Sequence, residues 1–228
     1  MPDKSEIIVD RNTGESVSQT PLRLPSQARS LSEIIVVLAF ILAAVWTPQG
    51  RLNAFFSIGA AACVVAFAIA GPWTSRTMGL VRPLAGAGKI LLIGAFLCGL
   101  IWLAGMDLRS IGDTYAIPWN RSWQYAIWAL VQQFILQSIF FVRFEATFGS
   151  RRAVVFSASL YAVAHIPSPV LTLLSFVGGL VFCELFRRYR NLFPLGIIHA
   201  GLGLTIAANF PDKWLHHMRV GIGFLTAH

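Results

Sequence analysis

The stretch Trp123-Gln-Tyr-Ala-Ile-Trp-Ala-Leu-Val-Gln-Gln-Phe-Ile-Leu-Gln-Ser-Ile-Phe-Phe-Val-Arg143 carries a single formal charge, at its last residue. A bilayer-crossing helix needs about 20 mostly apolar residues, so this stretch reads as one span. Working outward, six more runs share its character: 31–48, 54–73, 88–106, 152–167, 168–186 and 192–210. The whole chain of 228 residues is 56% hydrophobic and 12% charged, where a soluble domain is about 25% charged. That balance excludes a soluble globular domain, a disordered chain and a small disulfide scaffold. The expected fold is all-α: a polytopic transmembrane helix bundle of about seven spans.

The fifth and sixth runs meet at Ile166-Pro167-Ser168-Pro169, where two prolines in four residues stop a helix and force a tight turn. With the N-terminus placed in the cytoplasm, the inside segments hold 13 of the 18 basic residues. Short cytoplasmic loops collect Lys and Arg, so the expected orientation is N-terminus in and C-terminus out. The formal charge of +8 is accounted for in the same way, without nucleic acid as a partner. Residues 1–30 read as a flexible cytoplasmic arm with no apolar leader segment, and 31–228 as a single transmembrane domain. The tail Val220–Ala227 is apolar but too short to span, and is expected to lie in the interface or re-enter. Cys63, Cys98 and Cys183 lie inside apolar runs as small core residues, and Trp46, Trp73, Trp123 and Trp214 read as interfacial anchors.

Polar groups at membrane depth are costly and mark candidate sites. The first half of the chain offers almost none; the second half clusters them. Gln132, Gln133 and Gln137 lie in one span, the last two a helical turn apart on one face. Ser157, Tyr161 and His165 follow at four-residue steps on the next, and His199 is flanked by Gly196 and Gly203 on the last. Taken singly, the amides serve as helix–helix glue and the histidines as satisfied core residues. Thr172, Ser175 and Gly179 read as packing. Depth argues for more. With the arginines as markers of one membrane face, Gln133 lies about 15 Å from Arg143, His165 about 20 Å from Arg152 and His199 about 14 Å from Arg190. Three spans thus bring polar groups to one level. Glu145 and Glu184 are expected to pair with Arg143 and Arg187/Arg188 near the interface.

The segment from about Trp123 to Asn209, a core at about 123–210, resembles the CPBP family (CAAX protease and bacteriocin-processing, or Abi), which are intramembrane glutamic endopeptidases. The family's Glu-Glu-x-x-x-Arg corresponds to Gln132-Gln133-Phe-Ile-Leu-Gln137, its Phe-x-x-x-His to Tyr161-Ala-Val-Ala-His165, and its His-x-x-x-Asn/Asp to His199-Ala-Gly-Leu-Gly203. The stretches Phe176-Val-Gly-Gly-Leu and Arg187-Arg-Tyr-Arg-Asn-Leu-Phe-Pro are similar as well. The resemblance implies a multi-pass protein of a bacterial cytoplasmic membrane. It also implies Gln132, Gln133, His165 and His199 at the catalytic positions, with Gln137, Tyr161 and Gly203 around them. In the family the second glutamate is held to activate water. A carboxamide is no proton acceptor near neutral pH, so Gln133 cannot be that base.

Two readings follow. In one, the chain is a non-catalytic relative whose polar cavity takes an isoprenoid-like lipid, a membrane-tethered peptide or a partner transmembrane helix. In the other, it is an active peptidase using His165 or His199 as base. Two histidines without a deep carboxylate or thiolate make a poor metal set, and no motif calls for a cofactor.

Overall fold

In the computed structural model, residues 8–9, 16–17 and 25–226 are described. Ile8–Val9 (β1) pairs antiparallel with Ser16–Val17 (β2); the rest of the expected arm up to residue 24 lies outside the described residues. Everything else is helical: α1 (Gln27–Trp46), α2 (Arg51–Ala70), α3 (Ala87–Leu108), α4 (Trp119–Gln133), a π-helix (Phe134–Phe141), α5 (Val142–Phe148), α6 (Ser150–Val163), α7 (Pro169–Tyr189), α8 (Leu192–Asn209), α9 (Asp212–Leu215) and α10 (Ile222–Leu225). Helix α1 begins at Gln27, with the Ser26 side chain accepting a hydrogen bond from the Arg29 amide. The protein is a multi-pass membrane helix bundle. Large apolar side chains such as Ile69, Leu92 and Phe96 face outward along the long helices, as a lipid-facing belt requires.

Among the described residues six helical segments, not the expected seven, are long and apolar enough to cross a membrane. The expected fifth span is α6, with 14 residues. At 1.5 Å per residue it is about 21 Å long, short of a ~30 Å hydrocarbon core. The shortfall comes from the turn that follows it. The helix stops at Val163, and Ser168 caps α7 with Pro169 in its first turn. The span before it is correspondingly long: α4, the π-helix and α5 form one continuous 30-residue segment, Trp119–Phe148.

The central element is α8, 67% of whose apolar window is buried, against 11% for peripheral α2. It packs between α3 and α4. Small residues let membrane helices approach closely, and the two glycines that flank His199 do so here. Gly196 lies against Leu130 of α4, and Gly203 against the ring of Tyr125. On the other side, Gly179 of α7 abuts Ala158 of α6, where an added Cβ would lie 3.1 Å away.

The residues after Phe210 form a strap with two short helices, of which α10 falls in the expected tail Val220–Ala227; Ala227 lies outside the described residues. The Asp212 amide bonds Asp113, and the Gly221 amide donates to Ile166 in the α6–α7 turn. Gly221, at φ +57°, lies against the Val45 carbonyl of α1, where a side chain would not fit. Trp73 is corrected as well: it is buried and stacks on the Arg143 guanidinium at 5.4 Å, so it anchors no interface.

Candidate functional site

Midway along the bundle a row of amides and rings from three segments joins by hydrogen bonds. Gln137 Nε2 donates to Gln133 Oε1 at 3.1 Å. Gln133 Nε2 meets His199 Nδ1 at 3.2 Å. His199 Nε2 meets the Tyr161 hydroxyl at 3.0 Å, and that hydroxyl donates to Gln132 Oε1 at 3.1 Å. The directions form one consistent series. An amide N–H can only donate, so His199 accepts at Nδ1, carries its proton on Nε2 and gives it to Tyr161, whose own proton goes to Gln132. Turning the Gln133 and Gln137 amides over would reverse those links and still leave both ring nitrogens of His199 occupied.

His165 stands at the edge of this row. Its ring lies 4.8 Å from that of Tyr161, and its Nδ1 lies 2.7 Å from the Tyr161 carbonyl. A carbonyl only accepts, so Nδ1 carries the proton and Nε2 holds a lone pair with no protein partner. The structure therefore links Gln132, Gln133, Gln137, Tyr161 and His199 directly, keeps His165 alongside, and sets Gly203 one turn from His199, under Tyr125. Ser157 is fully buried, with its hydroxyl unpartnered, as is Gln137 Oε1. Ser175, expected as packing, faces the cavity described next.

That cavity, about 540 Å³, adjoins the row. Tyr125, Gln132, Tyr161, His165 and His199 are on its wall; among the described residues no Asp, Glu, Lys or Arg is. The remainder is almost wholly apolar and includes Leu38 and Ile41 of α1 and Leu97 and Leu100 of α3. Helices of the first half of the chain thus contribute to the wall. Met218 and Val220 of the C-terminal strap line it as well.

The charged residues lie elsewhere, and the expected partner of Glu145 is corrected. Glu145 pairs with Arg190, and Glu184 with Arg187 and Arg188 as anticipated. Arg143 is not an interface marker: it is fully buried and pairs with Glu33 of α1 at 2.7 Å. Its other donors reach Ser138 O, Ile139 O and Phe67 O. Glu33 is thus a deep polar group of the first half, against expectation, and an acidic residue just inside the first apolar run is a usable sequence signal for it. Tyr125 was also missed; it lies two helical turns before Gln133 on the same face. Among the described residues no three His, Cys, Asp or Glu side chains gather where they could share a metal ion.

Residues 114–205 match the family model described as Type II CAAX prenyl endopeptidase Rce1-like. This segment is similar to the CAAX endopeptidases. It covers about two fifths of the 228 residues. It runs from just before α4 into the last turns of α8 and holds every candidate residue from Tyr125 to Gly203. Helices α1–α3, including Glu33, lie outside it. Neither a curated protein nor a solved structure matches the chain. The molecule is a CAAX-protease-like integral membrane protein in contact with the lipid bilayer.

Proposed function

We propose that this CAAX-protease-like protein is a binding relative of the endopeptidases: it holds a membrane-embedded ligand in the cavity beside His199 and does not hydrolyse it. One observation carries the reading: at the position where the family places its glutamate, the Gln133 amide already occupies the His199 lone pair, and the other ring nitrogen is engaged by Tyr161. A general base needs an unengaged lone pair near the water it deprotonates, and His199 has none. Among the described residues no carboxylate lines the cavity to stand in.

A second reading has an observation of its own. His165, fixed through Nδ1 by the Tyr161 carbonyl, keeps Nε2 free on the cavity wall and is the one candidate base for cleaving a membrane-tethered peptide. The test is to reconstitute the purified chain in liposomes with lipidated and membrane-tethered peptides. The expected result is no product from the wild type, and turnover, if any, only when Gln133→Glu is paired with Gln137→Arg. Wild-type cleavage abolished by His165→Ala would overturn the binding reading.

We also infer that the end bearing Arg187, Arg188 and Arg190 faces the cytoplasm, since short basic loops are retained there. A cysteine introduced at Arg188 should then resist a membrane-impermeant thiol label in intact cells; rapid labelling there would reverse the orientation.

A further inference from the structure

We propose that the cavity is selective for charge: its occupant is a single-chain lipid amphiphile whose polar end is uncharged and carries both a hydrogen-bond donor and an acceptor, a fatty amide or a fatty alcohol. This rests on the cavity being a ligand site, as inferred above, and adds what the ligand must be.

Among the described residues no Asp, Glu, Lys or Arg is on the cavity wall. An ionised carboxylate or phosphate drawn into such a space leaves water without gaining a counter-charge, and that is strongly unfavourable. Arg143, the one buried cation among the described residues, is already matched by Glu33 and does not line the cavity.

The hydrogen-bonded row consumes Gln132 Oε1, both nitrogens of His199 and the Tyr161 proton. Unengaged are the Gln132 amide N–H groups, which donate; His165 Nε2, which accepts; and the Tyr125 hydroxyl, which does either. A ligand that satisfies Gln132 offers an oxygen, and one that satisfies His165 offers an O–H or N–H. An amide or a hydroxyl does both. An ester supplies only the oxygen and leaves His165 unpaired.

Apart from these polar groups the lining is almost wholly apolar and includes Leu38, Ile41, Leu97 and Leu100. A peptide carries an N–H and a C=O at every residue, and these would find no partners there. A hydrocarbon chain needs none. A volume of about 540 Å³ falls within the range of about 300–1,000 Å³ for sites enclosing one small molecule.

The experiment uses the full-length purified protein in detergent at pH 8 and four probes on the same eighteen-carbon chain: the primary amide, the alcohol, the methyl ester and the ionised acid. Occupancy is read by native mass spectrometry over a concentration series. The amide and alcohol are expected to bind at least tenfold more tightly than the acid, with the ester between. His165→Phe and, as a second variant, His165→Leu should bring the alcohol down to the ester without weakening the ester. Acid binding equal to or tighter than the amide would overturn the charge argument while leaving the cavity a ligand site. An advantage of alcohol over ester that survives both His165 variants would overturn the donor assignment. Failure of all four probes would overturn the reading of the cavity itself.

Discussion

Two buried polar clusters border the same π-helix, and they are built from opposite chemistry. At its C-terminal end Arg143 bridges Glu33, Phe67 O, Ser138 O and Ile139 O. At its N-terminal end Gln133 and Gln137 join His199 and Tyr161 with no formal charge. The ionic cluster ties α1 and α2, outside the family segment, to the π-helix inside it. Its guanidinium answers carbonyls that a π-helix holds out of α-helical register. The neutral cluster ties α4, α6 and α8 together around a cavity. A charge buried in the bundle is tolerable only where its partner is fixed, so the ion pair occupies the closed side. The open side is left to groups whose hydrogen bonds are exchangeable.

The sharpest way to break this contrast is to remove half of the ion pair. Glu33→Leu leaves the fully buried Arg143 without a carboxylate. The expected loss is about 3–5 kcal/mol, read as a large fall in the thermal midpoint of the purified protein by circular dichroism. Adding Arg143→Met to that variant should recover most of the loss, because the stranded charge goes with it. A double variant as unstable as the single would mean that the pair itself, and not the stranded ion, supplies the stability.

The bundle was legible because hydropathy and proline placement are local: seven runs, the Ile166–Pro169 turn and the polar level of the second half all follow from short windows. The cluster was legible for a related reason. Gln133, Tyr161 and His199 are polar where polarity is costly, and they meet. Three things were not readable. The π-helix depends on a shift in backbone pairing that Phe134–Phe141 does not announce. The pairing of Glu33 with Arg143 joins residues from opposite halves of the chain, and arginine near a span end also fits an interface. The shortness of α6 depends on where a helix stops, which apolar content alone does not mark.

On the neutral side the largest effect should come from sterics. A Cβ at Gly203 runs into the Tyr125 ring and hydroxyl, so Gly203→Val forces α4 away from α8. Overpacking of this kind destabilises by about 1–3 kcal/mol, and the hard contact argues for the upper end. Tyr125→Ala should restore much of it; no rescue would place the strain elsewhere. Tyr161→Phe is expected to be milder, about 1–2 kcal/mol, since it takes one partner each from His199 Nε2 and Gln132 Oε1 without moving a helix. Its signature is chemical: with Tyr161 gone, one nitrogen of His199 is freed. The imidazole should then show, by nitrogen NMR of histidine-labelled protein, a tautomer balance different from that of the wild type. An unchanged spectrum would mean that Tyr161 does not set the state of His199.

The smallest effect tests what ranks these interactions. Arg188 reaches Glu184 at 2.6 Å, no longer than the 2.7 Å of Arg143 to Glu33, so geometry alone predicts equal worth. The side chains differ in exposure: 61% for Arg188 and none for Arg143. Solvated ions gain little from each other, and Arg187 still holds Glu184 when Arg188 is lost. Arg188→Ala should therefore change stability by no more than about 0.5 kcal/mol, and raising the salt should erase even that. The Glu33→Leu defect should persist at the same ionic strength, because no counterion reaches Arg143. Equal salt sensitivity in the two variants would mean that water enters the Glu33–Arg143 cluster, and the division into a closed ionic side and an open neutral side would fail.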